Sequence, residues 1–397
     1  MKALLLERID PVGVSLLEEA GFEVESLDAA LGEAELARRL PGVQLLGIRS
    51  KTEVTPAVVE AGRDLLALGA FCIGTNQIAL DDCSEAGVAV FNAPFSNTRS
   101  VVELALAEII ALTRRLLDKD RSMHAGVWDK SSAGSHEVRG RTLGIVGYGK
   151  IGSQLSVLAE DLGMSVLYFD IADRLALGNA RRCASLDELL EQSDVVSLHV
   201  DGRPGNSGLF GAREFARMRD GAIFLNLSRG FVVDHAALRE QLGSGHLAGA
   251  AVDVFAHEPA GQGDPFESEL RGLPNVILTP HIGGSTVEAQ RDIGQFVAGK
   301  LRDYVVNGTT TLSVNLPPVT LDRRAETARL AHLHRNLPGV LGKVNGILGE
   351  HGVNVAAEAL GTAGEVGYLL AEVEGAVAAE VLGGLAQLPE TIRTRLI

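Results

Sequence analysis

The chain has 397 residues with a formal net charge of −15, and 46% of its residues are hydrophobic. This composition predicts a globular protein of two or three domains. Because a chain this acidic would be repelled by nucleic acid and by anionic membranes, we expect neither as a partner. The cysteines form no CxxC pair, which indicates reduced thiols in a cytoplasmic protein and no metal site: Cys72, Cys83 and Cys183.

The first block of the chain, to about residue 93, alternates short apolar runs with helix-like segments. The expected strands are residues 2–9, 44–48, 65–70 and 88–91. Strands that alternate with helices predict a parallel sheet.

A second alternating block begins with a helical stretch at residues 100–125, where Glu103 and Glu108 interrupt the apolar run and indicate an amphipathic helix. The strands expected after it are residues 142–146, 165–169, 195–198, 222–225, 249–254 and 276–278. This pattern predicts a second, larger doubly wound sheet that ends near residue 284. A helix at 286–306 and a proline-containing linker at 307–324 follow.

The last block has the order strand, helix, strand, strand, helix, strand, from residue 329 to residue 396. That βαββαβ order is typical of a ferredoxin-like domain. The predicted fold class is therefore α/β, with two doubly wound Rossmann-like domains and a C-terminal ferredoxin-like domain.

The strongest motif is the GxGxxG loop of Gly147, Gly149 and Gly152, which follows a strand and opens a helix. In such a loop the glycines permit a tight turn, a close approach to a pyrophosphate and close helix packing. Asp170 ends the next strand, where it could bind the adenosine ribose and repel a 2′-phosphate, which favours NAD over NADP. The alternative is a plain glycine-rich turn between strand and helix.

Three further residues end strands of the same predicted sheet: Arg229, Glu258 and His281. Strands of one polarity share an edge, so we expect the three to line one crevice with the glycine loop. A histidine can take the hydroxyl proton when an alcohol is oxidised, and a paired carboxylate raises its pKa. An arginine can bind a substrate carboxylate through two hydrogen bonds. Taken singly, each could instead be a structural or solvated residue.

Five segments around these residues resemble the signatures of the D-2-hydroxyacid dehydrogenase family: residues 147–152, 228–230, 252–255, 257–259 and 280–286. Residues 73–77 and 91–100 are similar to the branch of this family that acts on 3-phosphoglycerate and carries a C-terminal ACT domain. The resemblance implies that His281 is the acid/base, Glu258 its partner and Arg229 the substrate binder. It also implies NAD as cofactor. The cofactor residues expected are Gly147, Gly149, Lys150, Ile151, Gly152, Asp170, Leu227, Ser228, Asp253, Gly283 and Gly284.

The same resemblance implies the reaction and the domain plan. The expected reaction is oxidation of 3-phosphoglycerate to 3-phosphohydroxypyruvate, the first step of serine biosynthesis, and some relatives also reduce 2-oxoglutarate. The domains would be a discontinuous substrate domain (1–97 and 285–316), a dinucleotide domain (98–284) and an ACT domain (325–397), in a homotetramer. The implied substrate residues are Arg49, Ser50, Lys51, Asn97, Arg139, Arg141 and Gln290. For the cations among them, solvent exposure is the alternative.

In the ACT domain the resemblance implies an L-serine site that gives feedback inhibition, formed by His334, Asn336 and Asn354. Arg335 stands where relatives usually carry an acidic residue. The alternative is turn chemistry, since asparagine and Pro-Gly are common turn formers. Two other functions stay open: a dehydrogenase for glyoxylate, D-lactate or 2-hydroxyglutarate, and a non-catalytic NAD(H)-binding sensor.

Overall fold

The structure is a computed structural model that describes residues 1–259, 263–375 and 377–397. It divides into two compact units. The first combines Met1–Ser96 with Gln290–Ile397, and the second is Asn97–Ala289. No helix in the described part of the chain combines the length and the apolarity needed to cross a bilayer.

The amino-terminal part of the first unit is a five-stranded parallel sheet in the order β2-β1-β3-β4-β5. Asp10 and Thr55 cap two of its helices by accepting hydrogen bonds from backbone N–H groups, and a proline follows each cap. The elements are β1 (Lys2–Leu5), α1 (Pro11–Glu19), β2 (Glu23–Ser26), α2 (Glu33–Arg39), β3 (Leu45–Ile48), α3 (Pro56–Ala61), β4 (Ala67–Ala70), α4 (Leu80–Glu85) and β5 (Ala89–Asn92).

The second unit is a seven-stranded parallel sheet in the order β12-β11-β10-β9-β6-β7-β8. Apolar side chains bury both of its faces, as in other doubly wound sheets. Its elements are α5 (Thr98–Thr113), α6 (Leu116–His124), β6 (Thr142–Val146), α7 (Lys150–Asp161), β7 (Ser165–Phe169), β8 (Arg181–Arg182), α8 (Leu186–Gln192), β9 (Val195–Leu198), α9 (Ala212–Arg217), β10 (Ala222–Asn226), α10 (His235–Ser244), β11 (Leu247–Val252) and β12 (Val276–Leu278).

The helix expected at 100–125 is two helices in the structure. Arg115, between α5 and α6, has a φ of 50°, in the left-handed region that breaks a right-handed helix. The strand expected at 2–9 ends at Leu5, because Glu7 and Arg8 have φ values of 66° and 53°.

The carboxyl-terminal part of the first unit is a four-stranded antiparallel sheet in the order β14-β15-β13-β16 with two helices. This sheet and the two parallel sheets confirm the predicted fold class. Helix α11 (Val287–Asn307) precedes it, and its own elements are β13 (Thr327–Arg335), α12 (Val340–Glu350), β14 (Val355–Ala363), β15 (Val366–Glu374), α13 (Ala379–Ala386) and β16 (Thr391–Leu396).

Both parts of the first unit share one hydrophobic core. Phe91 of β5, Tyr304 of α11 and Tyr368 of β15 are buried in the same cluster. The hydroxyl of Tyr368 donates to the carbonyl of Gly308, and the Arg393 guanidinium donates to the carbonyl of Leu65. The stretch after α11, which the sequence predicts to be a linker, is therefore held against the protein at Gly308.

Candidate active site

The dinucleotide loop connects β6 to α7, and packing explains two of its three glycines. A Cβ on Gly147, whose φ is 92°, would lie 2.5 Å from the carbonyl oxygen of His199. A Cβ on Gly152 would overlap the carbonyl oxygen of Gly147. Around Gly149, in contrast, no described heavy atom apart from those of its own stretch of chain lies within 4 Å of the position a Cβ would take. The open backbone at Gly149, at the amino end of the helix that starts with Lys150 and Ile151, fits a pyrophosphate.

Asp170, after β7, braces this loop. One carboxylate oxygen accepts the N–H of Tyr148 at 2.8 Å, and the other accepts the N–H of Ala172 at 2.8 Å. The Nε of Arg174 lies 3.6 Å from the carboxylate. Each oxygen has a second lone pair, so Asp170 can still accept hydrogen bonds from ribose hydroxyls. The loop and this acid thus suit a dinucleotide such as NAD.

His281 and Glu258 form a hydrogen-bonded pair in this unit. The Nδ1 atom of His281 lies 2.9 Å from Oε2 and 3.1 Å from Oε1 of Glu258. The N–H of Phe255 also donates to Glu258. The hydrogen bond to Glu258 raises the pKa of His281, although partial burial opposes this. Partial burial acts to raise the pKa of Glu258, but the bonds from His281 and Phe255 outweigh it and lower that pKa.

Asp253 organises the loop that carries His281. Its carboxylate accepts hydrogen bonds from the Thr279 hydroxyl at 2.7 Å and from the N–H groups of Ile282 and Gly283 at 2.8 Å each. Its carbonyl accepts the N–H of His281 at 2.8 Å. These contacts hold His281 at a φ of 54°, a conformation that costs free energy in a residue other than glycine. The loop geometry is therefore imposed by its surroundings.

Arg229 follows β10 in a turn that its neighbours fix. The side chain of Asn226 accepts from the backbone N–H of Ser228 and donates to the carbonyl of Arg229. A Cβ on Gly230 would overlap the carbonyl carbon of Phe255, so the loops after β10 and β11 touch. The charge of Arg229 lowers the pKa of both Glu258 and His281. Arg229, Glu258 and His281 thus lie within electrostatic reach at one sheet edge.

The other expected residues of the second unit divide into two groups. Asn97 lies against the His281 loop, because a Cβ on Gly284 would overlap its side-chain nitrogen. Leu227, Ser228, Gly283 and Gly284 follow β10 and β12 at the same sheet edge as the dinucleotide loop.

Arg139 and Arg141 precede β6, so they lie at the opposite end of that strand from Gly147. Arg139 pairs with Glu137, and Arg141 lies 3.7 Å from Asp194. The structure therefore does not bring these two arginines close to Arg229, Glu258 and His281 of the same chain.

Arg49, Ser50 and Lys51 follow β3 in the first unit, where Gln290 also lies, near the start of α11. The buried carboxylate of Glu7 accepts the N–H groups of Arg49, Lys51 and Thr52 at 2.8–3.0 Å. The side chain of Gln77 donates to the carbonyl of Arg49 at 2.8 Å. Sequence reasoning missed Glu7, whose role depends on two consecutive left-handed residues that no sequence pattern indicated.

The three expected effector residues are not together within one chain. Asn336 donates to the carbonyl of Gly364, at the turn between β14 and β15. Asn354 donates to Glu374, at the other end of β15. The nine residues of β15 separate the two asparagines, which is about 30 Å at ~3.4 Å per residue. His334 is buried at the Asn336 end, with its Nδ1 bonded to the carbonyl of Arg335.

No group of three or more His, Cys, Asp or Glu side chains within the described ranges is arranged to hold a metal ion. The groups at the sheet edge can supply proton transfer through His281 and Glu258 and anion binding through Arg229. Together with a dinucleotide on the adjacent loop, these groups suit hydride transfer to or from a 2-hydroxy acid.

Two family models match parts of the chain. Residues 106–283 match the model described as D-isomer specific 2-hydroxyacid dehydrogenase, NAD binding domain, which confirms the predicted NAD cofactor. Residues 330–393 match an AHAS small subunit-like ACT domain.

Relatives cover the whole chain. It is 47% identical over 397 residues to the D-3-phosphoglycerate dehydrogenase of Dictyostelium discoideum, covering 100% of this chain and 97% of that one. It is also 47% identical to the protein of that name from Escherichia coli K12, with the same coverage. Among solved structures, D-lactate dehydrogenase from Aquifex aeolicus, complexed with NAD and lactic acid, has a TM-score of 0.66 at 25% identity, over 76% of this chain and 95% of that one. The TT0316 protein of Thermus thermophilus has a TM-score of 0.69 at 30% identity, over 77% and 97%. The chain therefore belongs to the D-isomer specific 2-hydroxyacid dehydrogenase family, as its resemblance in sequence predicted.

Proposed function

We infer that this NAD-dependent dehydrogenase oxidises 3-phosphoglycerate to 3-phosphohydroxypyruvate, the first step of serine biosynthesis. The observation that carries this function is the His281–Glu258 pair, with Arg229 at the same sheet edge as the dinucleotide loop. The substrate follows from the D-3-phosphoglycerate dehydrogenases that match the chain over its full length.

We propose the following roles for the three residues. NAD, when bound, supplies a nicotinamide ring that accepts the hydride from the substrate carbon. Arg229 binds the substrate carboxylate, and its guanidinium polarises the adjacent C–O bond. The Nδ1 of His281 is bonded to Glu258, so its Nε2 is the nitrogen left to take the hydroxyl proton. Glu258 stabilises the imidazolium that results and keeps the ring oriented.

The test is NADH oxidation followed by absorbance, with 3-phosphohydroxypyruvate compared with glyoxylate, pyruvate and 2-oxoglutarate. We expect the phosphorylated keto acid to give the highest kcat/KM. His281→Ala should abolish turnover and keep NADH binding, whereas His124→Ala, which changes an exposed histidine, should match the native protein. Faster turnover of another keto acid would support a different dehydrogenase. NADH binding without any turnover would support the sensor.

Arg49, Ser50, Lys51, Asn97 and Gln290 stay predicted substrate residues. For Arg49 the support is the fixed turn that Glu7 and Gln77 create, since a preorganised guanidinium binds an anion at lower entropic cost. We propose 2-oxoglutarate as an alternative substrate, because its second carboxylate resembles the phosphate in charge. We expect the protein in the cytoplasm, in keeping with its unpaired cysteines.

We also propose that L-serine binds the ACT domain and inhibits the enzyme. Because Asn336 and Asn354 lie at opposite ends of β15, a site that uses both requires two copies of the chain, as in the proposed homotetramer. Asn336→Ala should relieve inhibition and spare catalysis. His351→Ala, at an exposed position in the same domain, is the matched control. Equal responses of all three proteins to serine would exclude this site.

A further inference from the structure

The polar loop that follows β9, residues 199–207, has no role in the proposed reaction so far. It begins at the carboxyl end of β9, next to the dinucleotide loop. A Cβ on Gly147 would lie 2.5 Å from the carbonyl oxygen of His199, and the N–H of His199 donates to the carbonyl of Val146 at 2.8 Å. The loop after β9 therefore starts at the sheet edge where the dinucleotide is expected to bind.

The middle of this loop lies against the side chain of Arg229. A Cβ on Gly202 would lie 3.4 Å from Nε, 3.8 Å from Cγ and 3.9 Å from Cδ of Arg229, and these are its three nearest heavy atoms beyond its own stretch of chain. Distances of this size are ordinary van der Waals contacts. The gap between Gly202 and the guanidinium end of Arg229 would therefore hold one methyl group and nothing larger.

The far end of the loop is bonded to the chain just after Arg229. The N–H of Gly208 donates to the carbonyl of Phe231, and the N–H of Phe210 donates to the carbonyl of Val232, each at 3.0 Å. The loop is thus attached at one end to the dinucleotide loop and at the other to the Arg229 turn. Its shape between these attachments decides how closely it confines the arginine side chain.

Asp201 fixes that shape. Its carboxylate accepts hydrogen bonds from Nε of Arg203 at 2.7 Å and from Nδ2 of Asn206 at 2.9 Å, and the other oxygen accepts from Nη2 of Arg203. Nδ2 of Asn206 also donates to the carbonyl of Asp201 at 2.9 Å. The side chains of Asp201 and Arg203 are each about half exposed, so this ion pair contributes little to global stability. Its effect is local, because it closes the turn that places Gly202.

The charge of Asp201 also lies close to Arg229, since Asp201 precedes Gly202 in the chain. The hydrogen bond from Arg203 lowers the pKa of Asp201, and the charge of Arg229 lowers it further. Arg229 acts on Glu258 in the same direction. Acids on two loops therefore stabilise the guanidinium in the absence of substrate.

We propose that Asp201 is a positioning residue, which closes the loop after β9 over Arg229 and holds its guanidinium ready for the substrate carboxylate. A side chain that must be immobilised on binding lowers affinity by about three- to tenfold, and a fixed loop avoids most of that loss. This inference deepens the proposed function and rests on it, because it takes Arg229 to bind the substrate carboxylate.

The test is calorimetric titration of the NADH complex with 3-phosphoglycerate, a pair that cannot react, so that binding is measured without turnover. Asp201→Ala should raise the Kd of 3-phosphoglycerate about three- to tenfold and leave the Kd of NADH within about twofold of the native value. Asp187→Ala is the matched control, because it removes an aspartate–arginine pair of the same kind, with Arg213, at the start of α8. Its Kd values should match those of the native protein.

A double-mutant cycle separates positioning of Arg229 from a general effect on the loop. In an Arg229→Lys background the guanidinium is gone, so Asp201→Ala should raise the Kd of 3-phosphoglycerate by less than about twofold more. Gly202→Val supplies a second variant that leaves the Asp201 bonds in place. Its methyl groups would press on Arg229, so it should weaken 3-phosphoglycerate binding in the native background and lose that effect in Arg229→Lys.

Equal effects of Asp201→Ala in both backgrounds, unchanged binding of 3-phosphoglycerate, or an equal weakening of NADH binding would overturn the proposal. Each of these results would leave binding of 3-phosphoglycerate by the native protein, and so the proposed function, in place. Native protein that does not bind 3-phosphoglycerate at all would overturn the proposed function and this inference with it.

Discussion

Replacing Glu108 by glutamine should change how the stability of the cofactor-free protein depends on pH. The pKa of this carboxyl is raised from 4.5 to about 8 by burial and by Asp253. As pH rises, the carboxyl of Glu108 therefore ionises at lower pH in the unfolded chain than in the folded protein. Native protein should lose stability relative to its unfolded state from about pH 4.5 to about pH 8, and the loss should then level off.

The magnitude follows from the raised pKa. Each pH unit in this window costs about 1.4 kcal/mol, so the native protein should lose about 3 kcal/mol by about pH 7 and about 5 kcal/mol above about pH 8. The amide of Glu108→Gln does not titrate. Its buried polar group adds an offset that is independent of pH, so the slope isolates the carboxyl.

Urea unfolding followed by far-ultraviolet circular dichroism, at several pH values between about 5 and 8, measures this difference. The unfolding free energy of Glu108→Gln minus that of native protein should rise with pH at close to the calculated slope. Glu103→Gln should give a difference that does not vary with pH, because Glu103 is exposed. Parallel pH curves for native protein and Glu108→Gln would show that Glu108 is not a neutral acid at pH 7.

Three further outcomes follow from the contacts. Glu258→Gln removes the main cause of the raised pKa of His281. The pH above which keto-acid reduction is lost should therefore fall, with about 10- to 100-fold less activity near pH 8. An unchanged pH profile of this activity would contradict the pairing of His281 with Glu258. Glu7→Gln should loosen the turn of Arg49 and raise the KM for 3-phosphohydroxypyruvate about tenfold, with a smaller change in kcat, as steady-state kinetics can measure. A change in thermal stability alone would indicate that Glu7 has a purely structural role. Gly230→Ala should force apart the loops after β10 and β11 and lower kcat/KM by about 100-fold or more; near-native kinetics would show that these loops need not touch.

The triad could be found from the sequence because its geometry depends on one rule of parallel sheets. Arg229, Glu258 and His281 each follow an apolar strand of the same polarity, so their convergence follows from topology. The glycine loop was predictable for the same reason, since a strand, three glycines and a helix adjoin in sequence.

The burial of Glu108 could not be found in this way. Glu103 and Glu108 both interrupt an apolar helix, and five positions place them about 140° apart on it. Only the packing of α5 decides that Glu103 is exposed and Glu108 buried. Short polar strands were missed as well: β2 and β8 have little of the apolar character by which strands are detected.

The core shared by the two parts of the first unit limits how this protein can be taken apart. Removing the ACT domain would strip the apolar cover from Phe91 and Tyr304 and leave the carbonyl of Leu65 without its arginine donor. A chain shortened in this way would therefore tend to aggregate, and the loss of serine inhibition could not be measured on it. Transplanting this domain onto another dehydrogenase would likewise require transplanting the end of α11 and the residues of β5 that share its core. The ACT domain and these core residues would therefore have to change together during evolution.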